Sequence, residues 1–143
     1  MKNQAILTPV REAHRFDEKI LSDYLRKNLN GFGSALTVEQ FEGGQSNPTF
    51  LLKSDSKKYV LRKKPPGKLL PSAHQVEREY RVMKALEITS VPVPKMRLLC
   101  KDDTIMGTPF FVMEYVPGRV LGDLTLPAMK PEERRAIYSD MIR

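Results

Sequence analysis

The sequence is poor in the residues that build disulfides, metal sites and membrane spans. It has one cysteine, Cys100, no tryptophan and two histidines among 143 residues. One cysteine excludes an internal disulfide and indicates a reducing, intracellular compartment. No apolar run approaches the roughly 18 residues that a membrane-spanning helix needs, and the N-terminus lacks a signal-peptide pattern. His14 and His74 have no neighbours spaced as in a metal site or catalytic triad, so we predict surface or capping roles for both and no metal site.

Positive charge is in excess, with 24 lysines and arginines against 17 acids and a formal net charge of +7. Six of these cations lie between Lys57 and Lys68, with no acid among them. Such a cluster can bind nucleic acid, an anionic membrane surface or a phosphorylated small molecule, and it can equally be a solvated strand end and loop. Apart from Tyr59, no aromatic side chain that could stack on a base accompanies it, which disfavours nucleic acid.

The order of apolar, turn and capping residues predicts an α+β fold. Residues 1–15 show no periodicity and are predicted to be a flexible tail. A helix is predicted from Asp17, which can cap its start, and a second from a capping box at Ser72 and Gln75. A last helix begins at Pro131 and is cut by the chain end. Alternation and turn residues predict five strands in an antiparallel sheet, at 36–41, 49–53, 59–64, 95–100 and 109–115.

The third strand carries the cations that most need an explanation. By alternation, Val60, Arg62 and Lys64 share one face of this strand, and Lys63 lies on the opposite face. Either these cations are ordinary solvated charges at a strand edge, or one of them points inward at something negative. The following helix offers Glu77 and Glu79 as partners for Arg62, and the pair can be purely structural.

Several stretches together resemble the aminoglycoside and choline phosphotransferase superfamily, which has a protein-kinase-like fold. They are GGQSNPTF, YVLRKKPPGKLLPSAH, REYRVMKAL, VPVPK, GTPFFVMEYVPGR and PEERRAIY. In sequence, these stretches resemble still more closely the N-terminal phosphotransferase domain of acyl-CoA dehydrogenase family members ten and eleven. The resemblance covers roughly residues 16–143. It implies that residues 16–118 form a kinase-like small lobe, and that residues 119–143 are an inter-lobe linker and the start of a large lobe.

The resemblance also implies a loop that covers the phosphates of ATP. This loop would consist of Gly43, Gly44, Gln45 and Ser46, with the Ser46 hydroxyl donating to a β-phosphate. Glycine allows backbone amides to approach a phosphate closely because no Cβ intervenes. The loop departs from the G-x-G-x-x-G pattern of protein kinases, and taken alone it is equally a plain hairpin turn.

Two further parts of a nucleotide site follow from the resemblance. Arg62 would stand where kinases place their phosphate-binding lysine, and its planar fork suits a phosphate pair. Glu79, rather than Glu77, would be its carboxylate partner, and Glu77 would face solvent. Arg62 would then be the cation that points inward, and Lys63 would be solvated.

The adenine would lie at the end of the fifth strand. Val60 and Met113 would line its pocket, and the Glu114 carbonyl and the Val116 amide would hydrogen-bond its edge. Met113 is also expected to be part of the core.

The catalytic half of such an enzyme is not found in these residues. The superfamily's H-G-D-x-x-x-x-N loop and its Mg²⁺-binding carboxylates are absent from the sequence, so we assign no catalytic residue and expect the chain alone to be inactive. The implied parent is an ATP-dependent kinase of a small hydroxylated molecule. In the dehydrogenase-linked members that molecule is a hydroxyacyl-CoA, the large lobe and a fused dehydrogenase domain are the implied partners, and the cytoplasm, peroxisome or mitochondrion is the implied location.

Two expectations remain beside this one. The lobe can be a non-catalytic binding module that contacts an acidic partner through residues 57–68. If the chain is a kinase small lobe without its large lobe, an apolar patch that the large lobe would cover is expected to be exposed. It would consist of Val60, Met113, Tyr115 and Val116, and the isolated chain would self-associate through it.

Overall fold

The structure is a computed structural model that describes residues 5–42, 47–65 and 76–143. Its strands are β1 (Leu7–Thr8), β2 (Thr37–Phe41), β3 (Thr49–Ser54), β4 (Lys57–Lys63), β5 (Met96–Cys100) and β6 (Phe110–Glu114). Its helices are α1 (Glu18–Asn28), α2 (Val76–Leu86), α3 (Asp103–Met106) and α4 (Pro131–Met141), with a 3₁₀ turn at Glu12–His14. No helix in these ranges is long and apolar enough to cross a membrane.

The strands form one antiparallel sheet with the order β1-β2-β3-β4-β6-β5. The predicted α+β fold with an antiparallel sheet is therefore confirmed, with six strands rather than five. The additional strand is β1, where Leu7 pairs with Phe41 and Thr8 with Gln40. Two residues are too few to show a period of two, and they form a strand here only because β2 offers an edge to pair with.

Residues 5–15, which precede α1, include several contacts with strand β2. The Gln40 side chain is buried, and its Oε1 accepts a hydrogen bond of 2.9 Å from the Arg11 backbone N–H. The Gln40 Nε2 lies 2.8 Å from the His14 Nδ1. A buried amide has to satisfy its polar groups, and Gln40 does so by fixing this segment along β2.

One face of the sheet is covered by α1, and its core is aliphatic and aromatic. Asp17 caps α1 as predicted, its carboxylate accepting from the backbone N–H groups of Lys19 and Ile20. The buried residues on this face are Leu21, Leu25, Leu29, Phe50, Leu52, Tyr59, Leu61, Cys100, Met106, Phe110 and Val112. Cys100 is therefore a core residue.

The other face of the sheet is covered by α2, which packs on β5 and β6. Val76, Met96 and Phe111 are buried there, with Tyr80 and Met83 packed against them.

The end of α2 is fixed by an acidic side chain. Glu87 Oε1 accepts a hydrogen bond of 2.6 Å from the Met96 backbone N–H. This bond, with the nearby Lys84 ammonium, lowers the pKa of Glu87 below its usual value. Because α1 covers one face of the sheet and α2 the other, alternate residues of β4 face two different layers.

Lys63 is buried rather than solvated, so that prediction was wrong. It lies on the α1 face with an exposed fraction of 5%, and its Nζ is 5.4 Å from the Phe16 ring centroid and 5.9 Å from that of Phe50. No ion pair among the described residues includes it. Cation–π contacts with two rings compensate part of the lost hydration, and the burial lowers the pKa of Lys63 below its usual value.

The chain divides into two compact units. One is Ile6–Pro117, which contains the whole sheet, and the other contains Gly118–Arg143. Within the second unit, Arg119 Nη1 lies 2.8 Å from Glu133 Oε1 at the start of α4. The Tyr138 hydroxyl donates to the Leu124 carbonyl. Pro131 occupies the first turn of α4, where a missing backbone N–H costs nothing.

Replacing the buried lysine should change how stability depends on pH. Because the pKa of Lys63 is lower in the folded state than its unfolded value of 10.5, unfolding takes up a proton between those two values. The free energy of unfolding should therefore rise with pH over that interval. In Lys63→Met this rise should be smaller, and stability at pH 7 should be higher. Denaturant unfolding from pH 7 to pH 10 measures both, with exposed Lys101→Met as the control; equal pH profiles for the two variants would contradict the prediction.

Candidate functional site

Arg62 on β4 and Glu79 on α2 form an ion pair. Arg62 Nη1 lies 3.1 Å from Glu79 Oε2, and about a third of each side chain is exposed. This confirms the predicted contact between the two residues. Register in the sheet explains the direction of Arg62, because it lies two residues after Val60 on the face that α2 covers.

Glu77 also forms an ion pair, with Lys64, the residue that follows β4. Its Oε1 lies 3.4 Å from Lys64 Nζ, and its side chain is 23% exposed, less than that of Glu79. The expectation that Glu77 faces solvent was therefore wrong. Each carboxylate therefore has its own cation. Glu77 and Glu79 are two residues apart on the helix, and their cations, Lys64 and Arg62, are two residues apart in the chain.

The helical period explains why both acids reach the strand. Two residues along a helix correspond to a rotation of about 200° about its axis, so their side chains point to nearly opposite sides. Val76, Tyr80 and Met83 form the apolar stripe of α2 that packs on the sheet. Glu77 and Glu79 lie on opposite flanks of that stripe, so each can reach a cation beside the helix.

Asn47 is a part of this site that the sequence did not point to. It immediately follows residues 43–46, and only 1% of its surface is exposed. Its Nδ2 donates a hydrogen bond of 3.1 Å to Glu79 Oε1. In the sequence it is one polar residue in a turn-forming cluster, and no local pattern links it to a helix about 30 residues later.

Three buried polar atoms at this junction have no hydrogen-bond partner among the described residues. They are Asn47 Oδ1, Arg62 Nε and Glu79 Oε2. The last of these lies within ion-pair distance of Arg62 Nη1, so its contact is an attraction between charges without the alignment of a hydrogen bond. Buried polar groups without partners are costly, and a ligand with both donors and acceptors can satisfy them.

The predicted adenine contacts lie at one end of the sheet. Val60 is opposite Met113 in the register of β4 and β6, so both side chains face α2. Lys95 and Glu114 fix the end of β6, because the Glu114 N–H donates to the Lys95 carbonyl and the Glu114 Oε1 accepts from the Lys95 N–H, both at 2.9 Å. The chain leaves the sheet at Val116, whose side chain is exposed.

The expected exposed apolar patch is smaller than the sequence suggested. Val60 is buried, with an exposed fraction of 8%, and Met113 and Tyr115 are half-buried. Only Val116, which is 57% exposed, offers a mostly accessible apolar side chain. Met113 packs against the core on the α2 face, which agrees with its expected place in the core.

The glycine-rich loop cannot be placed against these residues. Gly43, Gly44, Gln45 and Ser46 lie outside the described residues, as do the predicted capping residues Ser72 and Gln75 and also His74. Their predicted roles stay predictions.

A cavity of about 480 Å³ lies at the same end of the sheet as the predicted adenine contacts, but away from the Arg62–Glu79 pair. Its lining includes Lys57, Lys58, Tyr59, Arg97 and Tyr115. The lining also includes Met96, which is buried on the α2 face, whereas Tyr59 lies on the α1 face. The described part of the chain contains no group of three or more His, Cys, Asp or Glu side chains that could hold a metal ion.

Comparison with known proteins identifies the family. Residues 37–143 match the phosphotransferase enzyme family. The chain belongs to this family. It is 52% identical over 136 residues to acyl-CoA dehydrogenase family member 11 from Homo sapiens, and 49% identical over 135 residues to family member 10 from Mus musculus. These matches cover 92% and 93% of this chain but only 17% and 12% of those proteins, so the chain spans less than a fifth of the relatives' length.

A solved structure has the same fold. It comes from Ralstonia eutropha JMP134 and is assigned as an aminoglycoside phosphotransferase. The TM-score is 0.73 at 50% identity, covering 89% of this chain and 36% of that one. The resemblance to this superfamily, and to acyl-CoA dehydrogenase family members ten and eleven, is thereby confirmed.

The two acids of α2 should differ in what they contribute to stability. Removing Glu77 should cost little, at most about 1 kcal/mol, because Lys64 can turn to water. Removing Glu79 should cost about 1–3 kcal/mol, because it leaves the buried Asn47 amide without its acceptor. Urea unfolding of Glu77→Ala and Glu79→Ala at pH 7 measures the difference. Equal losses would mean that the Asn47 contact contributes nothing.

Proposed function

We propose that this phosphotransferase-family domain binds ATP and forms the nucleotide-binding half of a kinase that phosphorylates a hydroxyl group. The observation that carries the proposal is the Arg62–Glu79 pair, 3.1 Å apart, with a buried Arg62 Nε that has no partner among the described residues. A guanidinium held by one edge keeps its other N–H groups for an anion, and its fork geometry matches phosphate oxygens.

The end of the sheet supports an adenine site beside the phosphate site. Val60 and Met113 provide an apolar wall on the face that also carries Arg62. Just beyond Glu114 the chain leaves the ladder, and a strand end of this kind can offer backbone groups to the edge of a base. In this proposal the Glu114 carbonyl and the Val116 N–H hold the adenine, and residues 43–46 cover the phosphates.

Transfer of a phosphoryl group also requires a metal ion and a carboxylate in addition to these residues. Mg²⁺ would neutralise the charge that develops on the phosphates, and a carboxylate would orient the acceptor hydroxyl. We propose that the Mg²⁺ ligands and this carboxylate lie in the part of the relatives that this chain does not span. The acceptor we propose is a hydroxyacyl-CoA, because two of the relatives are named as acyl-CoA dehydrogenase family members.

The alternative, a binding module that contacts an acidic partner through residues 57–68, is disfavoured by how its cations are used. Lys57 donates to the Gly31 carbonyl, and Lys58 lies over the Tyr115 ring. Arg62 and Lys64 are paired with acids of α2, and Lys63 is buried. Every described cation of the segment therefore makes an internal contact, which leaves little free charge for a partner.

ATP binding is the direct test of this proposal. Contacts from one lobe should give an affinity of about 1 mM, or about 4 kcal/mol. Arg62→Ala should weaken it at least about tenfold, because a charged hydrogen bond contributes about 1.5–3 kcal/mol. NMR titration with ATP measures this, and Arg81→Ala, an exposed arginine of α2, is the matched control. If ATP shifts no resonance near Arg62 and Val60, the proposal fails.

The chain alone should bind ATP without turning it over. We expect no release of ADP above the buffer rate with Mg²⁺ present, with or without a hydroxylated acceptor, because the carboxylates that position the metal are missing. A coupled ADP assay with the purified chain tests this. Turnover that Arg62→Ala abolishes would show that the catalytic groups lie within these residues.

A further inference from the structure

Asn47 is the most deeply buried polar side chain that contacts the Arg62–Glu79 pair. It is 1% exposed, and its Nδ2 bond to Glu79 Oε1, 3.1 Å long, is its only side-chain hydrogen bond among the described residues. Its backbone is also fixed, because its carbonyl accepts from the Thr49 hydroxyl at 3.1 Å. Asn47 therefore links the chain that follows residues 43–46 to helix α2.

The two oxygens of Glu79 have different partners. Oε1 accepts from Asn47, and Oε2 lies nearest to Arg62. An ion pair that is one-third exposed does not by itself fix a long side chain in one orientation. A buried neutral donor on the first oxygen fixes the plane of the carboxylate and so turns the second oxygen towards the guanidinium.

We infer that Asn47 is a positioning residue, whose amide holds Glu79 against Arg62 and so leaves the Arg62 Nε free for a phosphate oxygen. The inference rests on the proposed function for its ligand. Its geometric part, the control of Arg62 by Asn47 through Glu79, can be tested without nucleotide.

The chemistry of an amide distinguishes this role from simple space filling. Aspartate has nearly the shape of asparagine, but the substitution Asn47→Asp would place a second carboxylate against Glu79 and would remove the hydrogen that the amide donates. A positioning role therefore predicts that Asn47→Asp is more harmful than Asn47→Ala. A packing role predicts the reverse order, because alanine leaves a cavity and aspartate does not.

The experiment is an ATP titration of the chain, followed by NMR, for Asn47→Ala, Asn47→Asp and the control Asn28→Ala. Asn28 is an exposed amide whose Nδ2 donates a hydrogen bond of 2.9 Å to the Tyr24 carbonyl. We expect Asn47→Ala to bind ATP about threefold to tenfold more weakly than wild type and the control to be unchanged. Asn47→Asp should bind more weakly still at neutral pH. The ATP affinity of Asn47→Asp, divided by that of wild type at the same pH, should recover on acidification. The new carboxyl is then protonated and can donate a hydrogen bond to Glu79.

Two results would overturn the inference. The first is that Asn47→Asp binds ATP better than Asn47→Ala and shows no recovery at low pH. The second comes from the double variant with Glu79→Ala. If Asn47 acts through Glu79, its loss should have no further effect there, whereas losses that add in full would show that it acts independently.

A readout without nucleotide separates this inference from the proposed function. The Arg62 Nε–H resonance reports the order and solvent exchange of the guanidinium. In Asn47→Ala it should broaden or exchange faster, while the backbone amide spectrum stays that of the folded chain and Asn28→Ala leaves the resonance unchanged. If wild type binds no ATP, the proposed function fails, yet this resonance still decides the positioning role. An unaltered resonance in Asn47→Ala overturns it.

Discussion

Strand β4 has to satisfy two different environments at once, and the arrangement of the sheet-containing unit depends on that constraint. Its alternate residues face an apolar layer under α1 and a mixed layer under α2. The apolar layer contains Leu61 and even the ammonium of Lys63, which rests on two aromatic rings. The mixed layer gathers Arg62, the acids of α2 and the buried amide of Asn47. Charge is thus concentrated on one side of the sheet, and the opposite side supplies most of the core.

The fold was largely predictable because most of its signals are local. The Asp17 cap, the strand alternation and the proline at the start of α4 each act within a few residues of the chain. Strand β1 was missed because two residues carry no period. Lys63 was misjudged because the rings that shelter it include Phe16, a residue far away in sequence.

The candidate site was predictable where strand alternation decided the geometry. Alternation placed Arg62 towards α2, and the family resemblance selected Glu79. The role of Glu77 required knowing which stripe of α2 packs on the sheet, since the two acids flank that stripe. Asn47 could not be found from the sequence, because its contact depends on the distance between a turn and a helix that only the folded chain defines. The same limit applies to the basic segment, whose net charge indicated a binding surface although its described cations make internal contacts.

The two ion pairs of α2 have a mechanical consequence. Because Glu77 and Glu79 lie on opposite flanks of the helix, rolling α2 about its long axis in either direction lengthens one pair while it shortens the other. The two ion pairs thus oppose rotation of the helix in opposite directions. A movement of α2 straight away from the sheet stretches both pairs together and meets the resistance of both. Loss of one acid should therefore leave a helix that rolls in one preferred direction.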